Sequence, residues 1–158
     1  MKTFMKIISG IVMGVALALA IGWSIMPTIM LHEYQSPYNV QETVDKIKEN
    51  ALSKGWIVAG VKPLHKSIKK NGGGDILPVM LVNLCQANHA YSILQEDENK
   101  KVSVFMPCTI SVYKKADGKT YVGALNAGLL GKMFGGTVAE VMSVVSLDQQ
   151  DFIGFTNK

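Results

Sequence analysis

Residues 76–85, ILPVMLVNLC, are the most continuously apolar segment of the chain outside its N-terminal run, and the fold prediction starts from them. The segment is apolar almost without interruption, which is typical of a strand that is buried on both faces of a layered domain. A helix is predicted directly after it, over residues 87–95, and Cys85 marks the change from strand to helix. We therefore place residues 76–85 in the middle of a sheet that carries helices.

A hairpin and a last helix are predicted on the C-terminal side of this stretch. Residues 108–114 alternate between apolar and polar side chains, and residues 120–125 form the returning strand after a turn at Asp117-Gly118. Further on, Thr137 and Glu140 have the spacing of a capping box. This box predicts a helix whose inward side chains are Val138, Val141, Met142 and Val145.

The N-terminal side adds a short extended segment, residues 32–36, and a helix that Asn39 and Glu42 open as a capping-box variant and Gly55 closes. A strand over residues 56–61 and a short helix over residues 64–70 complete the pattern. The whole predicts an α+β fold, a two-layer sandwich of a mainly antiparallel sheet with helices on one face, preceded by one N-terminal transmembrane helix.

The transmembrane helix is predicted from an uncharged run between residues 7 and 31. Residues 7–26 alone would form about 30 Å of helix, enough to cross a bilayer core. Lys2 and Lys6 precede the run, so the positive-inside rule places the N-terminus in the cytoplasm. We expect a single-pass protein of the inner (cytoplasmic) membrane, with residues 1–31 as stub and anchor and residues 32–158 as a domain that faces the periplasm or cell exterior.

A cleaved signal peptide is the alternative, because Ala18-Leu19-Ala20 resembles a cleavage site. We favour the uncleaved anchor, since the chain stays apolar past that site as far as Leu31. Within the anchor, small residues recur at every fourth position, which is the spacing of a helix-packing face. These residues, Gly10, Gly14, Ala18 and Gly22, predict weak self-association as a homodimer, although Gly and Ala are common in membrane spans in any case.

The amino-acid composition limits the classes of binding partner that we expect. The formal net charge is +4, and all the basic side chains other than histidine are lysines. Arginine is the usual bidentate reader of guanine and phosphate, so its absence argues against a nucleic-acid partner. Membrane lipid, contacted through the N-terminal helix, is the partner that the sequence predicts.

Candidate chemistry is concentrated at Cys85, His89 and Cys108, with His65 as a further possibility. Cys85 directly precedes a helix, where unpaired backbone amides and the macrodipole favour a thiolate. Three interpretations compete: structural cysteines, bonded or buried; a thiol site in which Cys85 reacts, Cys108 resolves and His89 modulates; and a soft-metal or haem site.

None of these interpretations is supported by a diagnostic spacing, because the chain contains no C-x-x-C or C-x-x-C-H motif. The sequence therefore identifies no cofactor. A simple parallel crossover would put the two cysteines at opposite ends of the sheet. A single long strand over residues 102–114 could instead bring Cys108 beside Cys85. The sequence contains no motif of a hydrolytic enzyme, so we favour a binding or accessory role over a catalytic one.

A family resemblance is carried by the segments NLC (residues 83–85), HAYSIL (89–94) and MPCTISVY (106–113). They resemble the bacterial and archaeal family called domain of unknown function 302. The segment NAGLLGKMFGG (126–136) is similar to a longer, membrane-anchored branch of that family. The likeness spans residues 33–145, and it departs from the expected family pattern at Ala87 and Thr109, where Pro and Arg are expected.

The resemblance implies a compact α+β domain that tends to dimerise, with both cysteines in its common framework, and it implies no activity. Combined with the residues, it predicts a membrane-anchored, cysteine-centred redox, sulfur-handling or metal- or haem-binding accessory protein. The alternative is a structural or partner-binding module whose cysteines only stabilise the fold.

Overall fold

The computed structural model describes residues 2–106 and 108–156, with side chains from residue 10 onward. The chain divides into two compact units between Met30 and Leu31. The first unit is helix α1 (Lys2–Met30). Its segment Gly10–Met30 is long and apolar enough to cross a membrane, a property that N-terminal signal sequences share.

The second unit is built on a five-stranded sheet with the order β1-β5-β4-β3-β2. Every neighbouring pair of strands in it is antiparallel. The strands are β1 (Leu31–Ser36), β2 (Ile57–Pro63), β3 (Val79–Cys85), β4 (Cys108–Lys114) and β5 (Thr120–Leu125). The α+β class predicted from the sequence is thereby confirmed.

The helices of this unit are α2 (Val40–Ser53), α3 (Leu64–Lys70), α4 (Ala87–Leu94), α5 (Ala127–Phe134) and α6 (Gly136–Phe152). A 3₁₀ segment, Asp97–Phe105, follows α4. The capping box that opens α2 is present, with the Asn39 Oδ1 accepting from the Glu42 N–H at 2.9 Å. It satisfies amides that would otherwise lack partners at the helix start.

The core lies between one face of the sheet and the helices. Strand alternation and the register put the buried side chains of β3, β4 and β5 on the same face, namely Val82, Leu84, Ile110, Val112, Val122 and Ala124. Helices α2 and α6 cover them with buried side chains of their own, Val44, Ile47, Ala51, Val138, Met142, Val145 and Phe152. Burial of this apolar surface is the main stabilising contribution to the domain.

The prediction that residues 76–85 are buried on both faces is wrong. Pro78 precedes the strand, and Ile76 and Leu77 before it are each 48% exposed. Within β3, Val82 and Leu84 are buried, whereas the alternate residues are only half-buried. An antiparallel sheet with helices on one side leaves its other face open, so an apolar run does not require two covered faces.

Two details of the C-terminal half also differ from prediction. Residues 102–105 belong to the 3₁₀ segment, which excludes the alternative of a single strand over residues 102–114. Helix α6 begins at Gly136 after Gly135, whose φ of 73° is favourable only for glycine, and no side chain caps it. The Thr137 hydroxyl instead donates to Glu96 Oε1 at 2.7 Å, so the second capping box is wrong.

Candidate functional site

The two cysteines lie at the same end of the sheet. Strand β3 ends at Cys85, β4 begins at Cys108, and the antiparallel register pairs Leu84 with Cys108. Strand geometry then separates the Cα atoms of Cys85 and Cys108 by roughly 6 Å. The connection through α4 and the 3₁₀ segment returns the chain to the same end of the sheet. The two cysteines are therefore neighbours without a long strand.

Both cysteines are free thiols, and both are half-buried. They line one cavity of about 30 Å³, together with Trp56, His89 and Met142. Such a volume holds about one water molecule, so it has no room for a haem. Among the described residues, no three of the histidine, cysteine and acidic side chains lie close enough together to hold a metal ion.

Cys108 lies on the core side of the sheet. It shares a face with Leu84 and Ile110, on the side of the sheet that the helices cover. Burial, with a smaller contribution from nearby Cys85, raises the pKa of the Cys108 thiol to about 11. Cys108 is therefore protonated at neutral pH, and it is not the thiolate of a pair that reacts.

His89 belongs to the same site. It lies in the first turn of α4, and its ring meets the Trp56 ring edge-on with the centroids 5.8 Å apart. The His89 N–H donates to the side-chain oxygen of the N-cap residue Gln86 at 2.9 Å. This bond caps the first turn of α4, which begins two residues after Cys85 in the chain. Gln86 was missed in the sequence because glutamine is not a favoured N-cap residue.

His65 is not brought to this site. The Val79 N–H donates to Nδ1 of His65 at 3.2 Å, so the imidazole is held at the first residue of β3. Cys85 is the last residue of the same strand, roughly 20 Å away at the rise of a β-strand. His65 therefore stabilises the junction of α3 and β3, and it cannot share a ligand with Cys85.

The anchor residues suggested as a packing face lie in α1. A Cβ atom added at Gly10, Gly14 or Gly22 would meet nothing within 4 Å in the described part of the chain. Self-association through these residues and Ala18 stays a prediction.

A polar cluster on the open face of the sheet was missed in the sequence. The Tyr113 hydroxyl on β4 donates to Glu33 on β1, and Lys115 Nζ donates to the same carboxylate at 2.6 Å. The Tyr113 ring reaches across β5 at Gly123, where an added Cβ would lie 3.4 Å from it. The signal is weak because Glu33 and Tyr113 are 80 residues apart and meet only through strand order.

This cluster predicts a dependence of stability on acid pH. The hydrogen bonds from Lys115 and then Tyr113 hold the pKa of Glu33 below its usual value of 4.5. A carboxyl with a lowered folded-state pKa stabilises the fold above its unfolded pKa, and that contribution is lost as the pH falls through the lowered value. Glu33→Gln should remove this part of the acid-induced loss, measured as urea midpoints between about pH 6 and pH 3.

Glu49→Gln, on an exposed ion pair with Lys46 within α2, is the matched control. Its stability should fall with acid as in the wild type. A Glu33→Gln profile that runs parallel to that of the wild type would contradict the assignment. The expected effect is small, since Glu33 is 44% exposed.

The family model "Domain of unknown function DUF302" matches residues 32–149, which include Cys85, His89 and Cys108. Pro107, which belongs to the segment MPCTISVY, lies outside the residues that the structure describes. The crystal structure of an uncharacterized conserved protein DUF302 from Bacillus stearothermophilus superposes with a TM-score of 0.70 at 20% identity, covering 80% of this chain and 97% of that chain. No curated protein matches the chain. At this identity the structural likeness shows the fold alone.

Proposed function

The chain belongs to the DUF302 family of domains of unknown function, and from this premise we propose that its domain is a membrane-tethered thiol module. In it, Cys85 and Cys108 pass between two thiols and one disulfide. The observation that carries the proposal is the cavity at one end of the sheet that Cys85 and Cys108 line together. The register of Leu84 with Cys108 puts the Cα atoms of the two cysteines roughly 6 Å apart, within the range that a disulfide spans. Because neighbouring residues of a strand face opposite sides, the bond also requires the end of β3 at Cys85 to turn toward the side of Cys108.

The chemistry is a thiol–disulfide exchange with a low-molecular-weight disulfide. The Cys85 thiolate attacks one sulfur of that disulfide, and the other sulfur leaves as a thiol after taking up a proton. Cys108 then loses its proton and attacks the Cys85 sulfur of the mixed disulfide, which releases the second thiol. Two electrons and two protons pass in total from the two cysteines to the disulfide.

The order of attack follows from the environments of the two sulfurs. Cys108, with a pKa of about 11, stays protonated until the mixed disulfide is formed next to it. Cys85 is at the strand end, ahead of the N-terminus of α4, and it is the nucleophile of the first step. His89, on the wall of the same cavity, is the polar side chain placed to modulate proton transfer.

The location is part of the proposal. Helix α1 contains a segment with the length and composition of a membrane span, and Lys2 and Lys6 lie at its N-terminal side. A span in this orientation would leave the domain outside the cytoplasm, where disulfides form and persist. A reversible dithiol is useful in such a compartment because disulfide partners are available there.

A structural role for the cysteines is the competing interpretation, and one observation favours it. Cys108 lies among buried side chains of the core face, where a free cysteine packs as a small apolar residue. The experiment below separates the two roles, because a packing role does not require oxidation.

The test is equilibration of the full chain in graded glutathione buffers, followed by acid quenching, alkylation and intact-mass measurement. We expect the wild type to lose two hydrogen atoms with a midpoint between about −270 and −120 mV, the range of thiol oxidoreductases. Cys108→Ser should accumulate the mixed disulfide on Cys85. In a time course with oxidised glutathione at neutral pH, Cys85→Ser should form mixed disulfide much more slowly than Cys108→Ser, since the Cys108 thiol is protonated.

Two outcomes would contradict the proposal that the domain is a thiol module. The first is a wild type that keeps both thiols across the whole range of buffers. The second is an equal rate of mixed-disulfide formation by the two single variants, because the order of attack requires Cys85 to react first. Either result would leave the structural module as the better account.

A further inference from the structure

A second cavity lies on the other side of Cys108, and its volume is about 210 Å³. It is a partly open cavity that is bordered by the end of the 3₁₀ segment, the adjacent ends of β4 and β5, and helices α5 and α6. Phe105, Leu125 and Met142 supply apolar wall, and Cys108 and Gln149 are among its polar groups. Cys108 and Met142 also line the smaller cavity, so they separate the two spaces.

Gln149 is the unusual member of this wall. It is only 7% exposed, on the inward side of α6. In the described part of the chain, no residue forms a hydrogen bond with the side-chain amide of Gln149. Every side-chain nitrogen or oxygen there that is fully shielded from solvent does have a hydrogen-bond partner, so the Gln149 amide is not fully shielded. The Gln149 amide is therefore open to the cavity that it lines. By contrast, the buried hydroxyls of Ser36 and Thr43 bond to each other at 2.7 Å.

An unpaired amide in such a site is costly unless a ligand or water completes its hydrogen bonds. A primary amide presents an acceptor and two donors, so it is complemented by a second amide, which offers the same groups in reverse. The apolar part of the wall calls for an apolar body on the same molecule. An engineered apolar cavity of about 150 Å³ accepts benzene, so this cavity has room for a ring that carries a small substituent.

From these observations we infer that the cavity beside Cys108 binds a small, neutral, mainly apolar molecule whose amide group pairs with Gln149. Cys108 lines this site as well as the smaller cavity, but ligand recognition rests on Gln149 and the apolar wall and requires no redox change. Binding would place the ligand against the Cys108 side of the sheet, among side chains of α5 and α6.

The test uses benzamide and toluene, which share an aromatic ring and differ in the amide. Binding to the full chain in nanodiscs is measured by ligand-observed NMR, and empty nanodiscs correct for uptake by lipid. Both compounds should bind the wild type saturably. Gln149→Met keeps an unbranched side chain of similar length and removes the amide, so benzamide affinity should fall about three- to tenfold while toluene affinity is retained.

Val104→Trp supplies the second variant. Val104 lines the cavity and is 76% exposed, so it lies at the opening, and a larger side chain there needs no rearrangement of the core. This variant should bind neither compound. Cys85→Ser should bind both as the wild type does, which separates this site from the thiol cycle. No saturable binding by the wild type, or an unchanged benzamide affinity in Gln149→Met, would overturn the inference.

Discussion

Replacing Phe152 by alanine is expected to lower the free energy of unfolding of the domain by about 3–5 kcal/mol. The Phe152 side chain has no exposed surface, and its ring packs edge-on against Trp56 with the centroids 5.2 Å apart. Its removal would leave a cavity at the end of α6 that the rigid sheet cannot fill. Since small domains are stable by only about 5–15 kcal/mol, a large share of the stability would be lost.

The consequences should reach the candidate site through Trp56. Its Nε1 donates to Asp148 Oδ2 at 2.9 Å, and its ring lies between Phe152 and His89. Loss of Phe152 would loosen the ring that forms part of the cavity beside Cys85. We expect faster alkylation of the two thiols in this variant at denaturant concentrations where the wild type is still protected.

Urea denaturation followed by Trp56 fluorescence measures the effect, in a background where Trp23 is replaced by phenylalanine. Leu147→Ala is the matched control, since Leu147 is on the same helix and is 63% exposed. That variant should change the free energy of unfolding by less than about 0.5 kcal/mol. Comparable losses in both variants would mean that α6 does not present Phe152 to the core.

Gly131→Ala is the second substitution with a large expected effect, a loss of about 1–3 kcal/mol. Helices α5 and α6 approach closely at this glycine. An added Cβ would lie 2.5 Å from the Cβ of Met142 and 3.3 Å from the Cα of Ala139. These are positions close to the backbone of α6, so a change of side-chain rotamer cannot relieve the contact. The two helices would have to separate, which exposes apolar surface.

Gly128→Ala is the control for this prediction. Gly128 is in the same helix, and an added Cβ there would meet the hydroxyl of Ser146 at 3.2 Å, which a rotation of that side chain can relieve. Its urea midpoint should stay close to that of the wild type. If Gly131→Ala were equally mild, the close packing of α5 on α6 would be wrong.

Much of the fold follows from local signals in the sequence. The capping box of Asn39 and Glu42, the hairpin turn at Asp117-Gly118 and the strand alternation of residues 108–114 involve neighbours in the chain. Such signals operate over a few residues and require no knowledge of the partner element. They were sufficient for the α+β class, the antiparallel hairpin and the elements on which the cysteines lie.

Failures occurred where a distant element decides the local structure. No helix was predicted for the glycine-rich segment around Gly131, and it is helix α5, packed against α6. Thr137 bonds to Glu96, 41 residues earlier, in preference to capping its own helix. The open face of β3 could not be inferred from its apolar run, since only strand order and helix placement decide which face is covered.

By itself, then, the sequence determined the fold class, an N-terminal helix of membrane-spanning length, and the residue types available for thiol chemistry. The packing of the strands brings Cys85 and Cys108 to one end of the sheet and holds His65 at the other. The tertiary structure also decided that Gln149 lines a cavity. The physical reason is that periodicity and capping are local, whereas distances between strands depend on pairing order and register, which no single segment encodes.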